Sequence, residues 1–181
     1  MHRPVTFIGI AVAALVLGAA PAAHAANPQV HRFIDSGSFT DPDYCGTGQA
    51  VQVSFEVRVV EFLAPNQDVD VAQVAQGTFT LTNPETGATV QNHFAGPFVG
   101  RLSGDPAGLH TLEYTSPGLN EQLRLEHGRV LSLDAGFLTF RDTFDGEEFL
   151  SGEIVISHGP HPDTETDFAL FCELTSTALG L

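Results

Sequence analysis

The chain has 181 residues, no lysine, seven arginines and 22 acidic residues, for a formal net charge of −15. All 22 acids follow residue 26 and Arg3 precedes it, so the remainder holds six arginines and a net charge of −16. A chain of this length is one domain, and this balance argues against nucleic acid and anionic lipid as partners, because binding either requires neutralising phosphate charge.

Met1-His2-Arg3 is a short basic start, Phe7 to Ala20 is almost wholly apolar, and Ala23-His24-Ala25 has the small-x-small pattern of a cleavage site. Residues 1–26 therefore read as a secretory signal peptide, with cleavage after Ala25 or Ala26. The apolar run is short and Pro21 interrupts it, which argues against a membrane anchor. No later stretch is long and apolar enough to span a membrane, so residues 27–181 are expected to form a single all-β domain that is secreted and extracellular. Cys45 and Cys172 are the two cysteines, and in an exported chain they are expected to pair. A bridge needs the two Cα atoms within about 7 Å, so the beginning and the end of the domain must be neighbours.

Taken in chain order, Val30 to Thr40 reads as a first, weaker strand, and Asp41-Pro42-Asp43-Tyr44 as a turn. Val51 to Val59 alternates strictly, with Val51, Val53, Phe55, Val57 and Val59 apolar and the even positions polar. That is a half-buried strand with its odd face inward, running on towards Leu63. Ala64 to Gln76 is a loop or a short edge strand around Val69-Val71. Thr78 to Thr82 and Ala88 to Phe94 form a hairpin about Asn83-Pro84-Glu85-Thr86-Gly87. Gly96-Pro97 is expected to end or kink the return strand. Leu109 to Thr115 is a strand stopped by Ser116-Pro117-Gly118. Leu123 to Leu125 is a short strand before a tight turn at His127-Gly128. Val130 to Phe140 is apolar with a bend at Gly136. Asp145-Gly146 is a second hairpin turn, with Phe149 to Ser157 returning. His158 to Asp163 is a loop, and Phe168 to Leu174 a last strand bearing Cys172.

This pattern predicts an antiparallel meander closing into a β-barrel or flattened barrel of about eight strands, with a two-sheet β-sandwich as the alternative. Closure follows from a meander whose ends meet, and it removes exposed edges.

Several short motifs coincide along the chain. Asp43, Cys45 and Gly46 form an Asp-x-Cys-Gly lead into the long alternating strand, preceded by Phe39. Leu81-Thr82-Asn83 with Thr86-Gly87 forms a Thr-Asn-x-x-Thr-Gly turn. Gly96-Pro97, Pro117-Gly118-Leu119, Asp145-Gly146 and a closing Cys172-Glu173-Leu174 follow. In these features the chain resembles a group of small secreted actinobacterial β-rich proteins of unassigned function. The resemblance implies a secreted β-rich domain with one disulfide between its two ends. It brings no activity and no catalytic residues. The His158-to-Asp167 loop departs from the group.

His158 and His161, with Asp163 beside them, are the tightest set of metal-type ligands, but a Pro-rich acidic loop in solvent is the simpler reading. The acids about Asp142 to Glu148 do not match an EF-hand, since Arg141 and Thr143 stand where ligands are needed. Glu56, Glu113, Glu121 and Glu153 supply carboxylates for glycoside chemistry, but their spacing selects no pair. No Gly-x-Ser-x-Gly occurs. No catalytic residue and no cofactor is therefore assigned. The 14 phenylalanines, without tryptophan, read as core. In a barrel, Phe55, Phe79, Phe94 and Phe137 would instead line a cavity for a small apolar ligand. The functional expectation is a non-enzymatic extracellular binding or interaction protein with an unknown partner. The alternatives are a barrel carrier of an apolar small molecule, and a hydrolase or isomerase whose site the sequence does not reveal.

Overall fold

The alternating stretch at Val51 forms the strand its pattern predicts. In the computed structural model, which describes residues 29–63, 71–126, 128–166 and 168–181, it runs as β2 (Val51–Leu63). Val51, Val53, Val57 and Val59 are buried, Phe55 is half-buried, and Gln52, Ser54, Glu56 and Arg58 are exposed. The expected leader, residues 64–70, His127 and Asp167 lie outside the described residues, and the rest of the expected 64–76 loop or edge strand belongs to a long inner strand.

β2 is the second strand of one antiparallel meander. The others are β1 (Gln29–Asp41), β3 (Val71–Thr82), β4 (Thr89–Gly104), β5 (Leu109–Leu125), β6 (Val130–Asp145) and β7 (Glu148–His158). They lie in sequence order, each paired with the next. The all-β class holds, but among the described residues there are seven long strands in place of about eight short ones. Among the described residues the sheet is not closed into the expected barrel and there is no second sheet: β1 and β7 are both edges.

The reason is the C-terminal segment. Phe168 to Leu174 was expected as a last strand, but Ala169–Leu179 is a helix, α2, preceded by the short α1 (Pro162–Glu165). Its inward residues are Phe171, Thr175, Ala178 and Leu179, which recur at helical spacing. Gly180, at φ 74°, caps the end and returns its amide to Ser176 and Thr177. Cys172 in α2 bonds to Cys45, in a tight turn just before β2, across a Cα–Cα distance of 5.6 Å. The two ends of the domain do meet, but helix to sheet rather than strand to strand. Among the described residues no helix is long and apolar enough to cross a membrane.

The two Gly-Pro and Pro-Gly breakers do not end their strands either. β4 runs through Gly96-Pro97 and β5 through Pro117-Gly118, and the breaks face each other. The β4–β5 ladder pairs Ala95 with Leu119 and resumes at Val99 with Thr115. Both prolines, which lack an N–H, thus sit where no ladder bond between these strands is made.

α2 and the Cys45 turn cover one end of the face that carries the odd β2 positions. Tyr44, Val51, Val53, Leu81, Val90, Leu123 and Leu179 form the core there. Tyr44 donates its hydroxyl to Thr175 Oγ1 at 2.9 Å, and Thr175 donates onward to the Phe171 carbonyl at 2.7 Å. Asn83 Nδ2 donates to the Leu179 carbonyl at 3.0 Å, tying the first hairpin turn to the end of α2. Farther along this face Val57, Val59, Ala75 and Phe94 form a second cluster.

Glycine opens room for rings in that second cluster. Phe55 lies opposite Gly37, and Phe94 opposite Gly77. A Cβ on Gly77 would stand 2.7 Å from the Phe94 ring, so the ring occupies the space the glycine leaves. Gly77→Ala is expected to cost about 1–3 kcal/mol by overpacking, measured by urea denaturation. A loss below about 0.5 kcal/mol would show the ring free to move aside.

Candidate functional site

Two places on the sheet concentrate polar chemistry. The first is buried. A bulge between Leu119 and Glu121 in β5 turns Glu121 onto the helix-bearing face, opposite Asp134 of β6. Ser132, two residues earlier on β6, shares that face. Gly136, at φ 144°, lets the chain after β7 cross close over β6. A side chain there would run into the His158 carbonyl and the His161 ring. The crossing lays His161 and Asp163 onto Asp134, Ser132 and Glu121.

His161, Asp163 and Asp134 are at most 3 % exposed. His161 Nε2 donates to the His158 carbonyl at 3.1 Å, and Nδ1 makes a short hydrogen bond with Asp134 Oδ1. A carbonyl only accepts, so Nε2 carries a proton. Ser132 Oγ donates to Asp163 Oδ2 at 2.8 Å, and Asn92 Nδ2 to Glu121 Oε2 at 2.9 Å. Glu121 Oε1 and Asp163 Oδ1 have no other partner, and Glu121 lies in hydrogen-bonding reach of Asp163. A single proton held by Glu121 satisfies both atoms. Burial, reinforced by Asp163, pushes the Glu121 carboxyl from its ordinary 4.5 up to about 9. Burial also raises Asp134, and the His161 hydrogen bond opposes that rise.

Folding favours protonated Glu121, so its contribution is complete below pH 4.5 and is lost as pH rises towards about 9. The slope in that window is at most about 1.4 kcal/mol per pH unit. Glu121→Gln, which keeps the neutral shape, is expected to flatten the stability–pH curve there and to raise Tm at pH 8 to 9. Thermal melts at stepped pH test this. Equal slopes in both proteins would place the shared proton elsewhere.

A shared-proton carboxyl pair beside a His–Asp pair contains the parts of acid–base chemistry. Here His161, Asp163 and Asp134 are buried and Glu121 is half-buried where the crossing segment meets the sheet, and their contacts latch that segment to the sheet. The expectation of a solvated acidic loop at His158 to Asp163 is corrected. His161 and Asp163 are buried, while His158 is exposed with its ring 6.4 Å from Phe137. His158, His161 and Asp163 do not converge, and among the described residues no three His, Cys, Asp or Glu side chains are grouped to hold a metal ion. Of the carboxylates named from sequence, Glu121 enters the buried cluster. Glu56 pairs with Arg58 at 3.2 Å, and Glu113 and Glu153 both accept from Arg141 at 2.8 Å. Sequence reasoning left out Asp134, Ser132 and Asn92. Asp134, a lone acid inside the apolar run of β6, is the signal that points to a buried partner.

The phenylalanines separate. Phe55, Phe79 and Phe94 stack in series, with centroids 5.7 and 6.0 Å apart, on the helix-bearing face. Phe137 faces the other way.

That other face is the second place. It is open. Across β2 to β5 it holds a groove of about 490 Å³ lined by Glu56, Arg58, Thr78, His93, Ala95 and Leu119. Thr78 Oγ1 and His93 Nδ1 are hydrogen-bonded at 2.7 Å, and burial, then Arg124, lower the His93 pKa and favour the neutral ring. Beside the groove the polar alternation fails. One row carries Val30 opposite Phe62, then Ala72, Val99, Thr115, Thr139 and Ile156 in register. The next carries Arg32, Val60, Val74 and Pro97, and on the far side of the break Pro117, Phe137 and His158. Val74, Val99 and Ile156 are 43–44 % exposed. Five of the six arginines that follow residue 26, at positions 32, 58, 101, 124 and 141, project from this face by register.

Comparison with family models, with curated proteins and with solved structures finds no match to this chain.

Proposed function

We propose that this is an extracellular binding protein that works through the open face of its sheet. The observation that carries the reading is the apolar belt on that face. Antiparallel sheets with a free side normally alternate cleanly, with polar residues outward. Here two adjacent rows across seven strands are largely apolar and uncovered. Contiguous exposed apolar surface of this extent marks an interaction site. The leader-like start, the disulfide and the likeness to small secreted actinobacterial proteins support export.

The two alternatives gain less. The carrier reading needs a barrel lumen, whereas Phe55 and Phe94 fill the space above glycines. The enzyme reading needs access to Glu121, Asp163 and His161, which the crossing segment covers.

The test is retention. Wild-type protein, Val74→Asp and Gln91→Glu are immobilised and challenged with the extracellular fraction of the producing cells. Gln91 shares the open face but stands outside the belt. Retention of one component by wild type and Gln91→Glu, with loss in Val74→Asp, is expected. Retention indifferent to Val74→Asp would move the site elsewhere. Turnover of ester or glycoside substrates that disappears in Glu121→Gln would replace binding with catalysis.

A further inference from the structure

We infer that the belt on the open face docks a second copy of this chain. The inference rests on the reading of that face as the binding face, and it names the occupant of the belt.

Three features point to self-association. The first is layering. A sheet is stable when both apolar faces are covered, and domains reach this with two or three packed layers. Among the described residues the helices supply a layer on one side only, while Val74, Val99 and Ile156 stand out on the other. An identical sheet packed face to face supplies the missing layer with matching chemistry, at the usual spacing of about 10 Å.

The second is area. The two apolar rows are flanked on one side by Arg101, Glu113, Arg141 and Glu153 in register, and on the other by Ile34 and Arg58 through to Ala135. The two central rows on seven strands, with flanks on four and six of them, at about 4.8 Å between strands and 3.3 Å per residue, lie within roughly 26 by 30 Å. That is about 800 Å² per partner, the size of a standard specific interface. The arrangement has an apolar centre with charged groups along one side, where the first flanking row lies.

The third is charge. Two copies of a chain at −16 repel wherever their acidic surfaces meet. On this face Arg141 bridges Glu113 and Glu153, Arg58 lies on Glu56, and Arg32 and Arg101 are exposed on the same side, so four arginines stand against three glutamates. The belt and its rim therefore carry no excess of negative charge, and this is where two protomers can approach.

The experiment is sedimentation velocity on the exported protein over a wide concentration range, with salt and two variants. A monomer–dimer equilibrium is expected. Raising salt from about 0.05 to about 0.5 M should tighten it several-fold, because screening removes repulsion between acidic protomers and leaves the apolar contact. Val99→Glu should weaken the dimer at least about tenfold. Val74→Lys should do the same with opposite charge, which keeps the test valid if one variant misfolds. Circular dichroism and Tm report folding of each. A protein monomeric at about 1 mM, a dimer indifferent to both folded variants, or a dimer that loosens with salt each overturns the inference. A strictly monomeric chain that still passes the retention test would overturn the second copy alone and leave the binding face standing.

Discussion

His161→Ala is expected to lower the unfolding free energy by about 3–5 kcal/mol, the cost of breaking a buried pair and leaving one charge behind. Asp134 would remain almost fully buried with only Thr164 Oγ1, at 3.4 Å, beside it. The His158 carbonyl would lose its donor as well. The damage should start locally. Amides of 158–166 should exchange faster than those of β2 and β3, because the latch joins this segment to β6 and the core near Val51 does not depend on it. Urea unfolding gives the total and hydrogen exchange the location. Asp134→Asn, which keeps the shape, should cost less. A loss below about 1 kcal/mol for His161→Ala would mean that the crossing segment is held by its backbone and by Asp163 alone.

Reducing the Cys45–Cys172 bond is expected to cost about 2–5 kcal/mol. The sequence separation is 127 residues, so the unfolded chain gains a large freedom when the bridge opens. Native contacts survive reduction: Tyr44 still reaches Thr175, and Asn83 still holds the Leu179 carbonyl. The reduced protein should therefore remain β-rich near room temperature and melt at a clearly lower temperature. Cys45→Ser with Cys172→Ser should match it. An unchanged Tm would mean that reduction leaves the unfolded chain as constrained as before. Loss of all β signal at room temperature would mean that packing of α2 contributes almost nothing without the bond.

The strands were legible because their cause is local. Val51 to Val59 alternates, and a pleated strand needs nothing else to place its odd face inward. Asn83 to Gly87 and Asp145-Gly146 name their turns through the backbone they permit. Gly87 and Gly146 take positive φ, at 74° and 57°. The prolines misled for the same local reason. Gly96-Pro97 reads as a strand end or kink and Pro117-Gly118 as a strand end, and their meeting across one ladder lets both strands continue. Residues 169–179 misled because short apolar runs fit a strand or a helix equally. Burial of Phe171, Thr175 and Leu179 against one core decides for the helix.

The candidate sites were less legible. Glu121 stood among four carboxylates, and what singles it out is a bulge that turns it towards Asp163, a residue far along the chain. His161 and Asp163 read as solvated because their neighbours in sequence are polar. Their neighbours in space are Asp134, Ser132 and Gly136, brought close by a crossing that Gly136 allows. The open belt was hidden too, since Val74, Val99 and Ile156 are single apolar residues in separate strands that only register aligns.

By itself the sequence determined an acidic β-domain with a leader-like start, an ordered set of strands and turns, and two cysteines placed to join its ends. Tertiary structure decided that the sheet stays open, that a helix takes the place of the last strand, and that one face is left uncovered. It also decided that three carboxyls and a histidine share a buried site. Periodicity acts within a few residues and is written in the chain. Which carboxyl loses its water, and which apolar residues align into a surface, depends on strand register and on segments distant in sequence.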